Sequence, residues 1–199
     1  MKTHRLLISV TLCCILVACN TVENQKPGQQ IKVRSAFPDK SLGSIMDSLH
    51  LTKKDTWIYI DKSDFTLLLK HDTVTLKSYP VVLGKNPTAD KNQQGDNCTP
   101  EGIFHLRDLY PHKGWSKFLW IDYPTADSYK KHEAAKKEGK ISANAKIGGE
   151  IGIHGVPDGT DYMIDENMNW TAGCISLKNA HINEIYAFVE VGTKVEIVQ

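Results

Sequence analysis

Alternating apolar and polar positions recur from residue 56 to the end of the chain. Where β-branched and aromatic residues follow a period of two between turn residues, a β-strand is expected. The segments with this pattern are residues 57–60, 65–69, 73–83, 103–109, 118–123 and 194–198. A long polar stretch, residues 84–98, separates the third strand from the fourth. Loops of that length in a compact domain are usually functional or mobile. The pattern predicts a mainly β fold.

Three segments follow helical spacing instead, and they place a few helices at the margins of the fold. Residues 40–50 predict a short amphipathic helix that packs on the domain. Residues 128–140 predict a polar helix that ends at Gly139, with lysines that face solvent. Asn179 is expected to cap a helix over residues 180–189.

The first eighteen residues have the pattern of a secretory signal peptide. A basic start precedes the apolar residues 6–18, a run shorter than the roughly twenty residues of a membrane-spanning helix. The segment Leu16-Val17-Ala18-Cys19 resembles a bacterial lipobox, in which Cys19 is lipidated and becomes the first residue of the mature protein. Ordinary cleavage after the small residues is the alternative. By resemblance to enterobacterial sorting, Asn20 favours the outer membrane.

This pattern gives a signal peptide over residues 1–18, a lipidated tether with the short helix over residues 19–55, and one domain over residues 56–199. The formal charge is +1 for the whole chain and −1 once Lys2 and Arg5 leave with the signal. Because nucleic-acid-binding proteins show a basic patch or a strongly basic total, no nucleic acid partner is expected. A monomer is expected.

Only Cys98 and Cys174 remain as thiols after cleavage and lipidation, since Cys13 and Cys14 belong to the signal. In an exported protein these two pair or stay reduced, and the sequence leaves both open. Neither CxxC nor HExxH spacing occurs, so no metal site is predicted.

The candidate chemistry lies in residues 150–177. His154 ends an alternating apolar run, and Cys174 follows it by twenty residues, directly after a glycine. A thiol attacks a carbonyl well only as the thiolate, so a nucleophilic cysteine needs a neighbour that takes its proton. Histidine does so near neutral pH. An inert buried cysteine is the competing interpretation.

The residues around this pair resemble a family signature. His154, sixteen intervening residues and Thr171-Ala172-Gly173-Cys174-Ile175-Ser176 are similar to the motif of the L,D-transpeptidase catalytic-domain (YkuD-type) family. That motif reads His, fourteen to seventeen residues, Ser or Thr, His, Gly, Cys, an apolar residue, and Arg or Asn. The resemblance extends over residues 56–198, with further landmarks at residues 79–84, 99–104, 121–124 and 148–155.

Two positions depart from the family pattern. Ala172 stands where a second histidine is usual, and Ser176 stands where Arg or Asn is usual. The first change removes a side chain near the expected oxyanion donors, and the second removes a group that the family uses near the substrate or the loop. Which substrate is used therefore stays open.

The resemblance implies a β-sandwich of the L,D-transpeptidase type and an acyl transfer without metal or organic cofactor. Cys174 would attack a peptidoglycan tetrapeptide stem with His154 as the base, and the backbone oxygen of Gly155 would orient the imidazole. The product would be a 3→3 crosslink between stems, made by a lipoprotein that faces the periplasm. The residues expected to supply oxyanion donors or substrate contacts are Thr171, Ala172, Gly173 and Ser176.

Two other functions stay open beside the transpeptidase. The same thiol would serve a carboxypeptidase or a peptidoglycan amidase, and an inert Cys174 would leave a lipid-anchored module that binds the cell wall. The loop between base and nucleophile carries Asp158, Asp161, Asp165 and Glu166. These acids are expected to keep the loop in water, with contact to a cationic acceptor amine as the alternative.

Overall fold

The computed structural model describes residues 35–199. The predicted signal peptide, the lipobox with Cys19 and residues 20–34 of the predicted tether lie outside these residues, so those predictions stay predictions. None of the helices in residues 35–199 is long and apolar enough to cross a membrane.

Eight strands form one curled sheet in the order β3-β2-β1-β8-β4-β5-β6-β7. Their bounds are Trp57–Asp61 (β1), Thr66–His71 (β2), Val74–Pro80 (β3), Gly102–His112 (β4), Ser116–Ile121 (β5), Gly152–His154 (β6), Ile175–Ser176 (β7) and Lys194–Val198 (β8). The predicted mainly β fold is confirmed. Strands β6 and β7 were given no bounds in the sequence analysis, although His154 was placed at the end of an alternating apolar run, since segments of three and two residues are too short to delimit by period.

The sheet curls because β4 changes partners along its length. Residues 102–105 pair with β8, and residues 106–112 pair with β5 across an irregularity between Leu106 and Asp108. A bulge of this kind bends a strand and lets it pass from one layer to the next. At the far end Val82, just after β3, bridges to Ser176 of β7. The two ends of the sheet order therefore meet beside the strand that follows Cys174.

The core fills the space inside this curl. Alternate residues of β1 and β2, such as Ile58, Ile60, Leu67 and Leu69, are fully buried, as the period of two requires. The apolar sides of two helices cover the remaining openings and belong to the same cluster. The buried helical residues are Leu42, Ile45, Met46, Ile182 and Ile185.

Within residues 35–199, four α-helices and one short 3-10 helix surround the sheet. They are Leu42–Ser48 (α1), Ala126–Lys137 (α2), Tyr162–Asp165 (α3), Asn179–Tyr186 (α4) and the 3-10 helix Lys53–Asp55. The predicted packing of α1 is confirmed: the Leu42 N–H and the Tyr79 hydroxyl both donate to the Glu184 carboxylate of α4, each at 2.9 Å. This carboxylate links α1 and β3 to α4.

The predicted ends of two helices are corrected by their caps. Helix α2 begins at Ala126, because the Thr125 and Ser128 side chains bond each other's backbone N–H groups. Asn179 does not cap α4, since it is the first helical residue and its N–H donates to the Asp161 carboxylate at 3.0 Å. Helix α4 ends at Tyr186, three residues before the predicted end.

The long loop over residues 84–98 is held by one buried ion pair and by a more exposed one to helix α2. Lys91 lies 2.8 Å from Asp96, and Lys131 of α2 lies 2.6 Å from Asp90. His132 of α2 contacts the Asn92 carbonyl oxygen at 2.6 Å. Lys131 therefore ties helix α2 to this loop, although its side chain stays exposed, as predicted for the lysines of α2.

Candidate active site

The parallel pairing of β6 and β7 brings the predicted base and nucleophile together. Ile153 pairs with Ile175, and His154 pairs with Ser176. By the same register Cys174 lies opposite Gly152. Residues two apart on a strand point to the same face of the sheet. Cys174 and His154 therefore lie on the same face of this part of the sheet, on adjacent segments, and are offset by two residues along the strand direction.

Cys174 is partly buried, and its thiol donates to the Glu150 carbonyl oxygen at 3.5 Å. Burial raises the pKa of the Cys174 thiol; a hydrogen bond from the Gly152 backbone and the charge of Lys91 lower it, and the charge of Glu150 raises it further. The net direction is upward. Cys174 is therefore a protonated thiol at neutral pH, and the attack requires a base.

Gly173 makes the turn before the nucleophile possible. Its φ of 142° lies in a region that favours glycine. A Cβ at this position would stand 2.7 Å from the Cys98 carbonyl oxygen. The loop over residues 84–98 therefore packs directly against the catalytic turn, and no side chain fits between them.

His154 is arranged as a neutral base. Its ring is 1% exposed, and Nδ1 lies 2.6 Å from the Gly155 carbonyl oxygen. Because a carbonyl only accepts, Nδ1 carries the proton and donates it to Gly155, which leaves Nε2 free to accept a proton. Burial lowers the pKa of His154 to about 4, although the bond to Gly155 opposes the shift. At neutral pH the imidazole is uncharged.

An aromatic cluster, which we did not predict, surrounds this imidazole. Trp115 stacks on His154 with ring centroids 4.4 Å apart, Phe118 stacks at 5.7 Å, and Trp170 meets it edge-on at 5.6 Å. His112 also stacks on the indole of Trp115, with ring centroids 4.5 Å apart. These rings exclude water from His154, which is the physical cause of its low pKa.

The turn before Cys174 corrects two predicted substrate contacts. Thr171 is buried; its hydroxyl donates to the Cys174 carbonyl oxygen at 2.7 Å and accepts the Gly173 N–H at 3.1 Å. Thr171 therefore shapes the turn, and the Gly173 N–H is already occupied. Ala172 is exposed, and the N–H groups of Ala172 and Cys174 make no turn or loop hydrogen bond within residues 35–199. These two remain the candidate oxyanion donors.

Ser176 does not face the substrate either, because its side chain is fully buried. Its hydroxyl donates to the Gly155 carbonyl oxygen at 3.1 Å, the same oxygen that accepts the Nδ1 proton of His154. Ser176 thus fixes the acceptor that orients the base. It is a positioning residue at the place where the family usually has Arg or Asn.

A pocket of about 500 Å³ lies beside the nucleophile. Its lining includes Lys91, Gln94, Gly148, Glu150 and Ala172. A larger pocket of about 670 Å³ is lined by residues 53–57, 71–72 and 190–194, and neither pocket is lined by Cys174 or His154 themselves. The smaller pocket is the one that adjoins Cys174, because Glu150 accepts a hydrogen bond from the Cys174 thiol and Ala172 lies two residues before it.

The remaining polar candidates have other places in the structure. Cys98 and Cys174 are both free thiols, so the pairing that the sequence left open is not present. Asp161 bonds the start of α4, and Asp165 forms an ion pair with Lys178 at 2.6 Å. Within residues 35–199 no three His, Cys, Asp or Glu side chains are grouped so as to hold a metal ion.

Comparison with known proteins identifies the family to which this domain is similar. The family model of the L,D-transpeptidase catalytic domain matches residues 55–197. The solved structure of Pgp2, the helical cell shape determining protein of Campylobacter jejuni, is 20% identical with a TM-score of 0.54, over 80% of this chain and 55% of that chain. Bd1075 of Bdellovibrio bacteriovorus is 19% identical with a TM-score of 0.53, over 72% of this chain and 48% of that chain. No curated protein sequence matches the chain.

The chain spans about half the length of the solved structures that it resembles. At these identities the likeness shows the fold, and it agrees with the predicted β-sandwich with peripheral helices. The family match covers almost the same residues as the resemblance found in the sequence. Because that match includes the greater part of the chain, the chain belongs to the L,D-transpeptidase catalytic domain family.

Proposed function

We propose that this chain is a cysteine-dependent L,D-transpeptidase that joins peptidoglycan stems in 3→3 crosslinks. The family acts on peptidoglycan stem peptides. The observation that supports the proposal is the neutral His154 on the strand beside Cys174, whose Nδ1–H donates to the Gly155 carbonyl oxygen while Nε2 stays free. This is the arrangement that a thiol nucleophile and its base require.

The acylation step transfers one proton and exchanges one bond. His154 Nε2 takes the proton of the Cys174 thiol while the sulfur attacks the carbonyl carbon between the third and fourth residues of a tetrapeptide stem. The N–H groups of Ala172 and Cys174 are the candidate donors to the oxygen that becomes negative. His154 then returns the proton to the departing amine, the C–N bond breaks, and D-alanine leaves a thioester on Cys174.

Burial raises the pKa of the Cys174 thiol and lowers the pKa of the His154 imidazole. The resting site therefore holds a thiol and a neutral imidazole, and a thiolate–imidazolium ion pair is disfavoured. The thiolate therefore forms as the substrate reacts. A low-dielectric site of this kind also strengthens the hydrogen bonds that develop in the transition state.

The test is mass spectrometry of the full chain incubated with muropeptides that carry tetrapeptide stems, with Cys174→Ala as the matched control. Dimers joined 3→3 in wild type and their absence in the variant would support the proposal. Tripeptide stems alone would make the protein a hydrolase on the same thiol. Unchanged muropeptides under reducing conditions would contradict catalysis and favour a wall-binding module.

We further propose that Cys19 is lipidated and that the domain faces the periplasm. This proposal is supported by the lipobox-like residues 16–19 and the polar residues that follow. Metabolic labelling with a clickable fatty acid checks it, since Cys19→Ala should lose the label and leave the membrane fraction. Equal labelling of the variant and wild type would contradict it.

A further inference from the structure

The pocket beside Cys174 carries a negative charge that the acyl-transfer chemistry does not itself need. Lys91 lines this pocket, but its side chain is only 3% exposed and already forms an ion pair with Asp96 at 2.8 Å. Glu150 also lines the pocket and is exposed. No Lys, Arg or His side chain of residues 35–199 forms an ion pair with Glu150. The uncompensated charge of the pocket is therefore the Glu150 carboxylate.

The backbone holds Glu150 beside the nucleophile. Its φ of 59° is in the left-handed region, which a residue other than glycine rarely adopts. In this conformation the Glu150 carbonyl oxygen accepts a hydrogen bond from the Cys174 thiol, with the oxygen and sulfur 3.5 Å apart. Backbone conformations of this cost persist where the surrounding structure requires them, and they are concentrated at functional sites.

The charge of Glu150 works against the nucleophile. Burial is the main cause of the raised pKa of Cys174, and the negative charge of Glu150 raises it further. A carboxylate that disfavours the thiolate contributes nothing to the attack. Its position is explained if it acts on another partner of the reaction, one that arrives with a positive charge.

The acids of the loop between base and nucleophile do not compete for this role. The Asp161 carboxylate accepts the Asn179 N–H at 3.0 Å, and Asp165 forms an ion pair with Lys178. Asp158 lines a different pocket together with His112. None of these three aspartates lines the pocket beside Cys174, whereas Glu150 does.

We propose that the Glu150 carboxylate binds the ammonium group of the acceptor, so that the thioester is transferred to a cationic amine in preference to water. This inference rests on the proposed function and names the acceptor class for the same site. The bound ammonium loses one proton to solvent, and its nitrogen then attacks the thioester carbon. The C–S bond breaks, an amide forms, and a second proton passes from the nitrogen through His154 to the Cys174 sulfur.

The experiment compares wild type, Glu150→Gln and Glu166→Gln as full chains. Glu166→Gln is the matched control, because Glu166 is an exposed carboxylate of the loop between base and nucleophile. The donor is a tetrapeptide-stem muropeptide. One acceptor is an Nα-acetylated diamino acid with a free side-chain ammonium, and the other is hydroxylamine, which is uncharged at neutral pH. The readouts are D-alanine release and the ratio of amide product to hydrolysed stem.

Glu150→Gln should raise the ammonium concentration needed for half-maximal transfer about tenfold, the equivalent of one charge-assisted contact. Transfer to hydroxylamine should not change, and Glu166→Gln should behave as wild type. Raising the ionic strength should weaken transfer to the ammonium acceptor in wild type and leave Glu150→Gln unaffected, because salt screens an exposed charge. Glu150→Lys, with the charge reversed, should have the larger effect.

If Glu150→Gln and Glu150→Lys need the same concentration of the ammonium acceptor for half-maximal transfer as wild type, the inference is overturned. Transfer by wild type in the same experiment would still support the proposed function. The same holds if only Glu166→Gln shows the increase, or if both acceptors weaken together. Should wild type release no D-alanine, the proposed function fails and the inference fails with it. D-alanine release by each variant shows that its site is folded, so a misfolded variant is not mistaken for a loss of acceptor binding.

Discussion

Two buried polar regions of this domain differ in charge: one contains ion pairs, and the other contains a neutral histidine. Behind the catalytic turn, Lys62 lies 2.7 Å from Glu101, and Lys91 lies 2.8 Å from Asp96. Beside the turn, His154 is equally buried but has aromatic rings as neighbours in place of a carboxylate. The ion pairs are charged and structural, and the imidazole is neutral and available for proton transfer.

The difference follows from what compensates burial. Burial alone raises the pKa of Asp96, but the hydrogen bonds from the Gln93 N–H, the Lys91 ammonium and two further N–H groups outweigh it, and the net shift is downward. At His154 the single bond to Gly155 does not outweigh burial. The number of compensating contacts decides whether a buried group keeps its charge.

The largest effect is expected from removing the neutral base. His154→Ala should lower the rate of D-alanine release from a tetrapeptide stem by about 10²–10⁴-fold, because the thiol proton loses its acceptor. Mass spectrometry of the released product measures the rate. His105→Ala is the control, since His105 is exposed and pairs only with Asp122. A His154→Ala rate equal to that of the control would remove His154 from the reaction.

A structural ion pair is expected to matter through stability. Lys62→Met should lower the free energy of unfolding by about 3 kcal/mol, because it leaves the Glu101 carboxylate and the Ala89 carbonyl oxygen without their donor. Lys130→Met, which breaks an exposed pair with Asp127, should leave the free energy of unfolding nearly unchanged. Urea denaturation measures both. Equal losses would contradict the assignment of the buried pair as structural.

Acid should destabilise the domain through His154. Its pKa is about 4 in the folded state and 6.5 in the reference state, so between these values only the unfolded chain binds the proton. The free energy of unfolding should therefore fall by about 3 kcal/mol from pH 6.5 to 4 on account of this residue, because each tenfold difference in proton affinity between the two states is worth about 1.4 kcal/mol. His154→Asn should lack this part of the slope. Parallel pH profiles of the two proteins would contradict the prediction.

The smallest effect is expected at Ser176. Ser176→Ala removes one hydrogen bond to the Gly155 oxygen, so it should cost about 1 kcal/mol of stability and lower kcat by less than about tenfold. The KM should stay unchanged, because the side chain is fully buried and does not reach the substrate. A raised KM with an unchanged kcat would restore the substrate contact that the sequence suggested.

The sequence predicted the long elements and the reacting pair but not their surroundings. A period of two located six of the eight strands, and the family motif identified His154 and Cys174. Trp115 was missed because it lies on the hairpin between β4 and β5, and only the pairing of β5 with β6 brings it to His154. Aromatic residues before β5 and before the motif, Trp115 and Trp170, were the signal available.

The remaining errors come from competition for hydrogen bonds. The expected cap at Asn179 was displaced by Asp161, a residue eighteen positions earlier in the chain. The Gly173 N–H, expected at the oxyanion, is held by the Thr171 hydroxyl. In each case the partner becomes a neighbour only through the tertiary fold, so local pattern cannot identify it.

The loop over residues 84–98 packs against the turn before Cys174, so the two segments should unfold locally as one cooperative unit. The Lys85 N–H donates to the Thr171 carbonyl oxygen, and the Asn86 N–H donates to the Asn97 carbonyl oxygen, both at 3.0 Å. A fluctuation that releases the loop therefore also frees Gly173, while the core strands stay paired. In the language of hydrogen exchange, the amides of both segments share one opening free energy, smaller than that of global unfolding. Heating would then abolish the proposed activity before it melts the sheet.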